Sequence, residues 1–314
     1  AATLGFPFDA SDLNLPSIGI AELVGSQTIM RTVTSVDESH GRKRYRAIVD
    51  APPGIDVSVS PSSIRLRGGE TATYEVTFSV TDETVFDEWA FGSLTWKHGG
   101  TTVRSPIAIR PVKLTAPDEL RAEGTDGMLN FDVNFGYTGD YQVNVDGLTD
   151  GNAMPDAVPD GGDVLHFFAV PPGTTLLRVS LFDEDTGDGS GTDDLDLQVF
   201  GPDVAGFPFL GQSAGPTSEE EFNVPNPVPG VYAAFVIEFA TAGDPTPYTL
   251  FNFNMNGMDA GNTMVTAPSA VSGTTGTVTV DWMGLAPDTR HLGLLNHSDG
   301  TDTIGTTELL INTQ

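Results

Sequence analysis

The chain is predicted to be all-β, organised as tandem β-sandwiches. Short runs of alternating or β-branched residues recur along its whole length, bounded by Gly, Pro and Asp clusters, and no window holds a sustained 3.6-residue apolar period. The 36 glycines and 22 prolines supply the turns that such folds consume. A length of 314 residues suits two or three domains.

The strands follow in order. Residues 45–49, 55–59 and 73–78 each alternate or are β-branched, and Gly68-Gly69-Glu70 and His98-Gly99-Gly100 are turns between such runs. About seven short strands in the first 115 residues indicate an immunoglobulin-like sandwich. Residues 128–135 and 141–145 alternate again, and the stretch from Asp150 to Gly162 reads as rich in turns. Residues 165–170 and 176–182 read as buried strands; further strands are expected at 195–200, 231–239 and 248–253. This block, 150–256, reads as a second sandwich or jelly roll. The final block, 257–314, offers strands at 278–282, 292–295 and 309–311, and is small for a stable sandwich without cysteine. Residues 139–148 (GDYQVNVDGL) are echoed by 276–285 (GTVTVDWMGL). Either 116–149 and 257–314 combine into one sandwich with 150–256 inserted between them, or the domains stand in series.

Charge divides the chain at the same boundary. Up to residue 115 there are 11 basic and 13 acidic residues; beyond it Arg121, Arg178 and Arg290 face 30 acidic ones. So acidic a balance argues against nucleic acid or an anionic membrane as partner, since both require basic surface. It suits cation binding or solubility in a salty medium. The longest apolar run, 231–237, is far too short to span a bilayer. The absence of cysteine excludes disulfides and thiolate chemistry. Ala1-Ala2-Thr3 opens no signal peptide, so the chain is expected to be a processed or excised piece.

The densest chemistry lies at 183–196, where seven carboxylates and three glycines fall within 14 residues. Such carboxylates repel one another unless water or a cation intervenes. Calcium takes six to eight oxygens, and glycine lets the backbone wrap closely enough to contribute carbonyls. Asp183, Asp185, Asp188, Asp193, Asp194 and Asp196 are the candidate calcium ligands, with Asp194 and Asp196 on one strand face. The alternative is an acidic, solvated hairpin loop. Asp160 and Asp163 are weaker candidates.

Other fragments carry less. Asp185-Thr186-Gly187 sits in a Gly/Asp-rich loop, with no partner motif that completes a protease triad. His40, His98, His166, His291 and His297 are scattered, mostly beside turns, and show no metal spacing. Glu219-Glu220-Glu221 reads as a solvated strand entrance. Trp96 and Trp282 are expected in cores, whereas Trp89 is the best exposed candidate for gripping polysaccharide or peptide. Arg42-Lys43-Arg44 with Arg46 either faces solvent or docks an acidic neighbour.

Five phrases in the first 115 residues carry a resemblance: LNLPSI (13–18), RTVTSV (31–36), APPGI (51–55), FGSLTW (91–96) and VRSPI (103–107). Together they resemble the fibronectin type III-like domain that follows the catalytic domain of subtilisin-like serine proteases. The block at 150–256, with FAVPPGT (168–174), DDLDLQV (193–199), PGVY (229–232) and YTL (248–250), resembles the bacterial prepeptidase C-terminal domain. Relatives of that domain are calcium-binding jelly rolls, some of which hold insoluble protein; the long loop at 183–192 departs from their pattern. The resemblance implies the non-catalytic C-terminal portion of a secreted bacterial endopeptidase. Its expected partners are an upstream protease domain and a protein substrate, its expected cofactor is calcium, and its expected location is extracellular. A surface adhesion or carbohydrate-binding module string without a protease is the competing reading.

Overall fold

The computed structural model describes residues 10–36 and 41–314. The first unit holds β1 (Ile18–Leu23), β2 (Ser26–Thr34), β3 (Lys43–Asp50), β4 (Ile55–Ser60), β5 (Ser63–Leu66), β6 (Thr71–Val80), β7 (Ala90–His98) and β8 (Thr101–Pro111). They form a five-stranded sheet, β1-β8-β7-β3-β5, facing a three-stranded one, β2-β6-β4. Alternation explains the layering: Tyr74, Val76 and Phe78 of β6 are buried, while Thr73, Glu75 and Thr77 point away. On that outer side hydroxyls ladder across to β2, with Ser26–Ser79, Thr28–Thr77 and Thr34–Thr71 contacts of 2.8, 2.8 and 3.1 Å. Trp96 lies in the core edge-on to Tyr74 at 5.0 Å.

The chain next forms β9 (Leu114–Thr115), β10 (Glu119–Glu123), β11 (Gly127–Phe135) and β12 (Gln142–Asp150). It then leaves through β13 (Asn152–Val158), β14 (Asp163–Val170), β15 (Leu176–Leu181), β16 (Asp194–Phe200), β17 (Phe209–Ser213), β18 (Glu220–Pro225), β19 (Gly230–Ala240) and β20 (Thr246–Met255). It returns as β21 (Thr263–Thr266), β22 (Thr274–Trp282), β23 (Arg290–Ser298) and β24 (Thr303–Asn312). The first and last groups share two sheets, β10-β24-β23-β12 and β21-β22-β11-β9. Their common core joins Phe131, Val133, Phe135 and Tyr141 to Val278, Val280, Trp282, Leu295 and Leu309. The two echoing stretches therefore lie in facing sheets rather than side by side.

The strands between form two four-stranded antiparallel sheets, β13-β20-β15-β18 and β14-β19-β16-β17. Counted from the first of the eight strands, the orders are 1-8-3-6 and 2-7-4-5, the jelly-roll arrangement of two Greek keys. The stretch expected to be mainly turns contains β13, which is an edge strand. That position tolerates Pro155, whose missing N–H removes no ladder bond a central strand would need.

The outer faces of β10-β24-β23-β12 and β13-β20-β15-β18 meet. Alternation sends Leu292, Leu294 and Leu310 outward from the sandwich, and Phe182, Phe251, Phe253 and Met255 outward from the jelly roll, into one apolar seam. Lys113 ties the first unit to the second through Asp299 at 2.5 Å.

Candidate functional site

The acidic loop joins β15 to β16 at one end of that seam. A short 3-10 turn, Asp183–Asp185, opens it and Asp194 closes it as the first residue of β16. Gly187 and Gly191 hold φ of +60° and +70°, a region that side chains disfavour. A Cβ on Gly187 would lie 1.8 Å from Asp193 Oδ2, and one on Gly191 would lie 3.0 Å from Asp183 Oδ2. The backbone thus wraps directly over the carboxylates.

The six candidate ligands divide. Asp185 accepts from Arg290 Nε at 2.7 Å, Asp188 from the Ser190 amide at 2.9 Å, and Asp193 from the Ala242 amide at 2.8 Å. Asp183 and Asp194 each keep a buried Oδ1 with no hydrogen-bond partner, and Asp194 is only 8 % exposed. Burial, reinforced by the neighbouring Asp183 charge, raises the Asp194 carboxyl above its ordinary range. Asp196 is raised by burial and by the charges of Asp194 and Glu220. Asp183 and Asp194 thus keep buried carboxylate oxygens unpaired near Asp196, but among the described residues the three carboxylates whose ligand atoms lie within 4.8 Å of one another are Glu119, Glu221 and Glu308. Asp160 and Asp163 stand apart: the Asp160 amide donates to Asp244, and Asp163 begins β14.

All three arginines beyond residue 115 bridge sandwich and jelly roll. Arg290 of β23 reaches Glu184 at 2.8 Å and Asp185 at 2.7 Å while lying 4.0 Å over the Phe182 ring. Arg178 of β15, 2 % exposed, bonds Glu308 of β24 and lies 3.4 Å from Glu221. Arg121 of β10 pairs with Glu119 at 2.5 Å and also with Glu219. Glu119, Glu221 and Glu308 converge around Arg178 and Arg121. Glu220 is buried and accepts from Ser213 Oγ and the Gly215 amide. The triple-glutamate run is therefore divided: Glu219 and Glu221 are exposed yet pair with Arg121 and Arg178, whereas Glu220 is buried within the jelly roll. Three basic residues among 30 acidic ones were a readable signal; which strands would face each other was not.

The opposite face of the jelly roll is aromatic. Outward positions on β14, β19, β16 and β17 carry Leu165, Phe167, Phe235, Phe200 and Phe209; Phe167 and Phe209 are more than half exposed. Their rings touch: Phe200 lies 5.3 Å from Phe209 and 5.6 Å from Phe235, and Phe167 lies 5.7 Å from Phe207.

Among the described residues no serine, histidine and carboxylate converge. His166 bonds Tyr248, His291 bonds the Ala286 carbonyl through Nε2 while its Nδ1 lies 2.9 Å from Asp150 without a hydrogen bond, and His297 bonds Tyr141 and Thr307. These three lie buried in strands rather than beside turns, and His98 ends β7; His40 falls outside the described residues.

Residues 12–109 match the fibronectin type-III domain family. The chain is 42 % identical over 102 residues to "CO(2)-response secreted protease" of Arabidopsis thaliana, covering 32 % of this chain and 13 % of that protein. It is 35 % identical over 104 residues to "Subtilisin-like serine-protease S" of Lotus japonicus, covering 33 % and 13 %. The matched stretch is thus about an eighth of each relative. Among solved structures, the secreted serine protease VesC from Vibrio cholerae aligns with 77 % of this chain and 50 % of its own at 14 % identity. The TM-score of 0.23 is too low to carry a structural argument.

Proposed function

We propose that this chain is the non-catalytic accessory region of a secreted subtilisin-like serine endopeptidase. In this reading the parent enzyme hydrolyses peptide bonds with a triad located in another domain. The observation that carries the reading is the stretch of about 100 residues shared with proteins named as subtilisin-like or secreted proteases, in a chain whose described residues assemble no triad. The relatives named above are plant proteins, so the reading does not depend on a bacterial source. The jelly-roll strand order supports assigning 151–256 as a prepeptidase C-terminal-like module. The touching phenylalanines of its outer face form a surface suited to holding a protein substrate, since large exposed apolar patches mark interaction sites.

Calcium belongs to this reading. Asp183, Asp194 and Asp196 would hold it, with Asp193 placed beside them, and the ion would supply the counter-charge those carboxylates lack. Calcium binding only to the folded chain raises its stability, by about 2.7 kcal/mol at 100 times Kd. Thermal unfolding in calcium and in chelator checks this: the midpoint should rise with calcium, and Asp194→Asn should abolish the rise. A midpoint indifferent to chelator removes calcium from the reading. The purified chain should neither digest casein nor take up a serine-directed fluorophosphonate; labelling of any serine overturns the accessory role itself.

A further inference from the structure

The outward face of β1-β8-β7-β3-β5 carries charge of the opposite sign. Arg44 and Arg46 on β3, Arg65 on β5, Lys97 on β7 and Arg104 on β8 are all exposed. Register sets Arg44 opposite Arg65 and Arg46 opposite Lys97, so like charges are direct cross-strand neighbours. Such pairs destabilise a sheet unless something between them compensates. Arg44 Nε donates to Ser63 Oγ at 2.7 Å. Among the described residues, no carboxylate lies within ion-pair reach of any of the five; Glu22 is taken by Arg110 and Glu70 by Arg42.

The same face ends in aromatics. Phe91 on β7, 68 % exposed, stands opposite Ala108 of β8, and Trp89, 49 % exposed, precedes it by two residues. Six residues separate the rows of Phe91 and Lys97, roughly 20 Å at 3.4 Å per residue. The acidic two-thirds of the chain attach beyond Pro111, at the aromatic end. Eight residues separate Arg104 from Val112, roughly 27 Å along the strand. At physiological salt the screening length is only about 8 Å, so the cation rows are shielded from that acidity.

We propose that this face binds an acidic polysaccharide, its carboxylate or sulfate groups lying along the Arg/Lys rows and a sugar ring against Trp89 and Phe91. Segregation of aromatics from cations separates this face from single-stranded nucleic-acid grooves, where stacking rings alternate with basic side chains. The inference rests on the first unit alone and is independent of calcium and of the parent activity.

The test uses the whole chain with polygalacturonate, heparin and neutral dextran, read by affinity electrophoresis and tryptophan quenching from 20 to 150 mM NaCl. One or both acidic polymers should bind, with affinity falling as salt rises, and dextran should not. Polygalacturonate alone assigns uronates; heparin alone assigns sulfated chains. The triple variant Arg46→Ser, Lys97→Ser, Arg104→Ser should weaken binding at least tenfold without lowering the melting temperature. Trp89→Ala should weaken it several-fold with an unchanged salt slope. Failure of both acidic polymers to bind at 20 mM salt, or undiminished binding by the triple variant, overturns the proposal. Equal affinity for duplex DNA or polyglutamate would show that the face senses charge alone, and overturns it too.

Discussion

His297 sits in the sandwich core between the Tyr141 hydroxyl and Thr307 Oγ1, at 2.7 and 2.9 Å. Burial holds it neutral and lowers its pKa to about 4. A histidine lowered in the fold contributes its full stability above its unfolded value near 6.5, and loses it as pH falls toward 4. Acidifying from pH 7 to pH 5 should therefore cost about 2 kcal/mol from this residue. Urea titrations at the two pH values check it, and His297→Gln should flatten that limb. Asp194 has the opposite sign: its raised carboxyl favours the fold below the ordinary carboxylate range and works against it as pH rises through the folded value. On the proposal that calcium binds there, the ion would relieve that penalty, so its effect on the melting midpoint should be larger at pH 7 than at pH 4.5. The acidic loop was legible because seven acids crowd one glycine-rich stretch. The histidines were not, because a single residue's burial depends on strands distant in sequence.

At the scale of elements, alternation did most of the predicting. Strands such as β6, β11 and β22, with apolar residues at every second place, were readable from their period. β13 was hidden by Pro155 and flanking glycines, and the two-residue β9 is too short to have a period. The seam was hidden for a different reason. Phe251, Phe253 and Met255 occupy one side of β20 while Tyr248 and Leu250 occupy the other, so both faces are apolar and alternation says nothing. Arg290 closes the end of this seam nearest the acidic loop. Arg290→Ala leaves Asp185, largely buried, without its partner, and should destabilise by about 3 kcal/mol. Because Glu184 and Asp185 share a turn with Asp183, it should also reduce the calcium-dependent gain in melting temperature. Undiminished calcium stabilisation in a folded Arg290→Ala chain would uncouple the two features.

At the scale of the whole molecule, we propose that residues 151–256 are a domain inserted into a sandwich made from 114–150 and 257–314, supported by the shared sheets and core of the flanking segments. The echo and the combined length of 116–149 and 257–314 suggested this arrangement in the sequence, but left serial domains equally open. With an apolar seam and three arginine bridges between host and insert, calorimetry should show two transitions: the first unit, and the rest together. Three independent transitions would contradict it. The arrangement also has a mechanical consequence. The chain leaves and re-enters the host at neighbouring points, Gly147 bonding Met258 and Ala260 across the two crossings. The host's edge strand β10 and its last strand β24 run parallel from Glu119↔Glu308 to Glu123↔Asn312. Tension between the first unit and the far side of β24 would load that ladder in shear, its bonds resisting together, and would bypass the jelly roll. A module hung outside the line of force can keep its grip on a ligand while the tether carrying it is stretched.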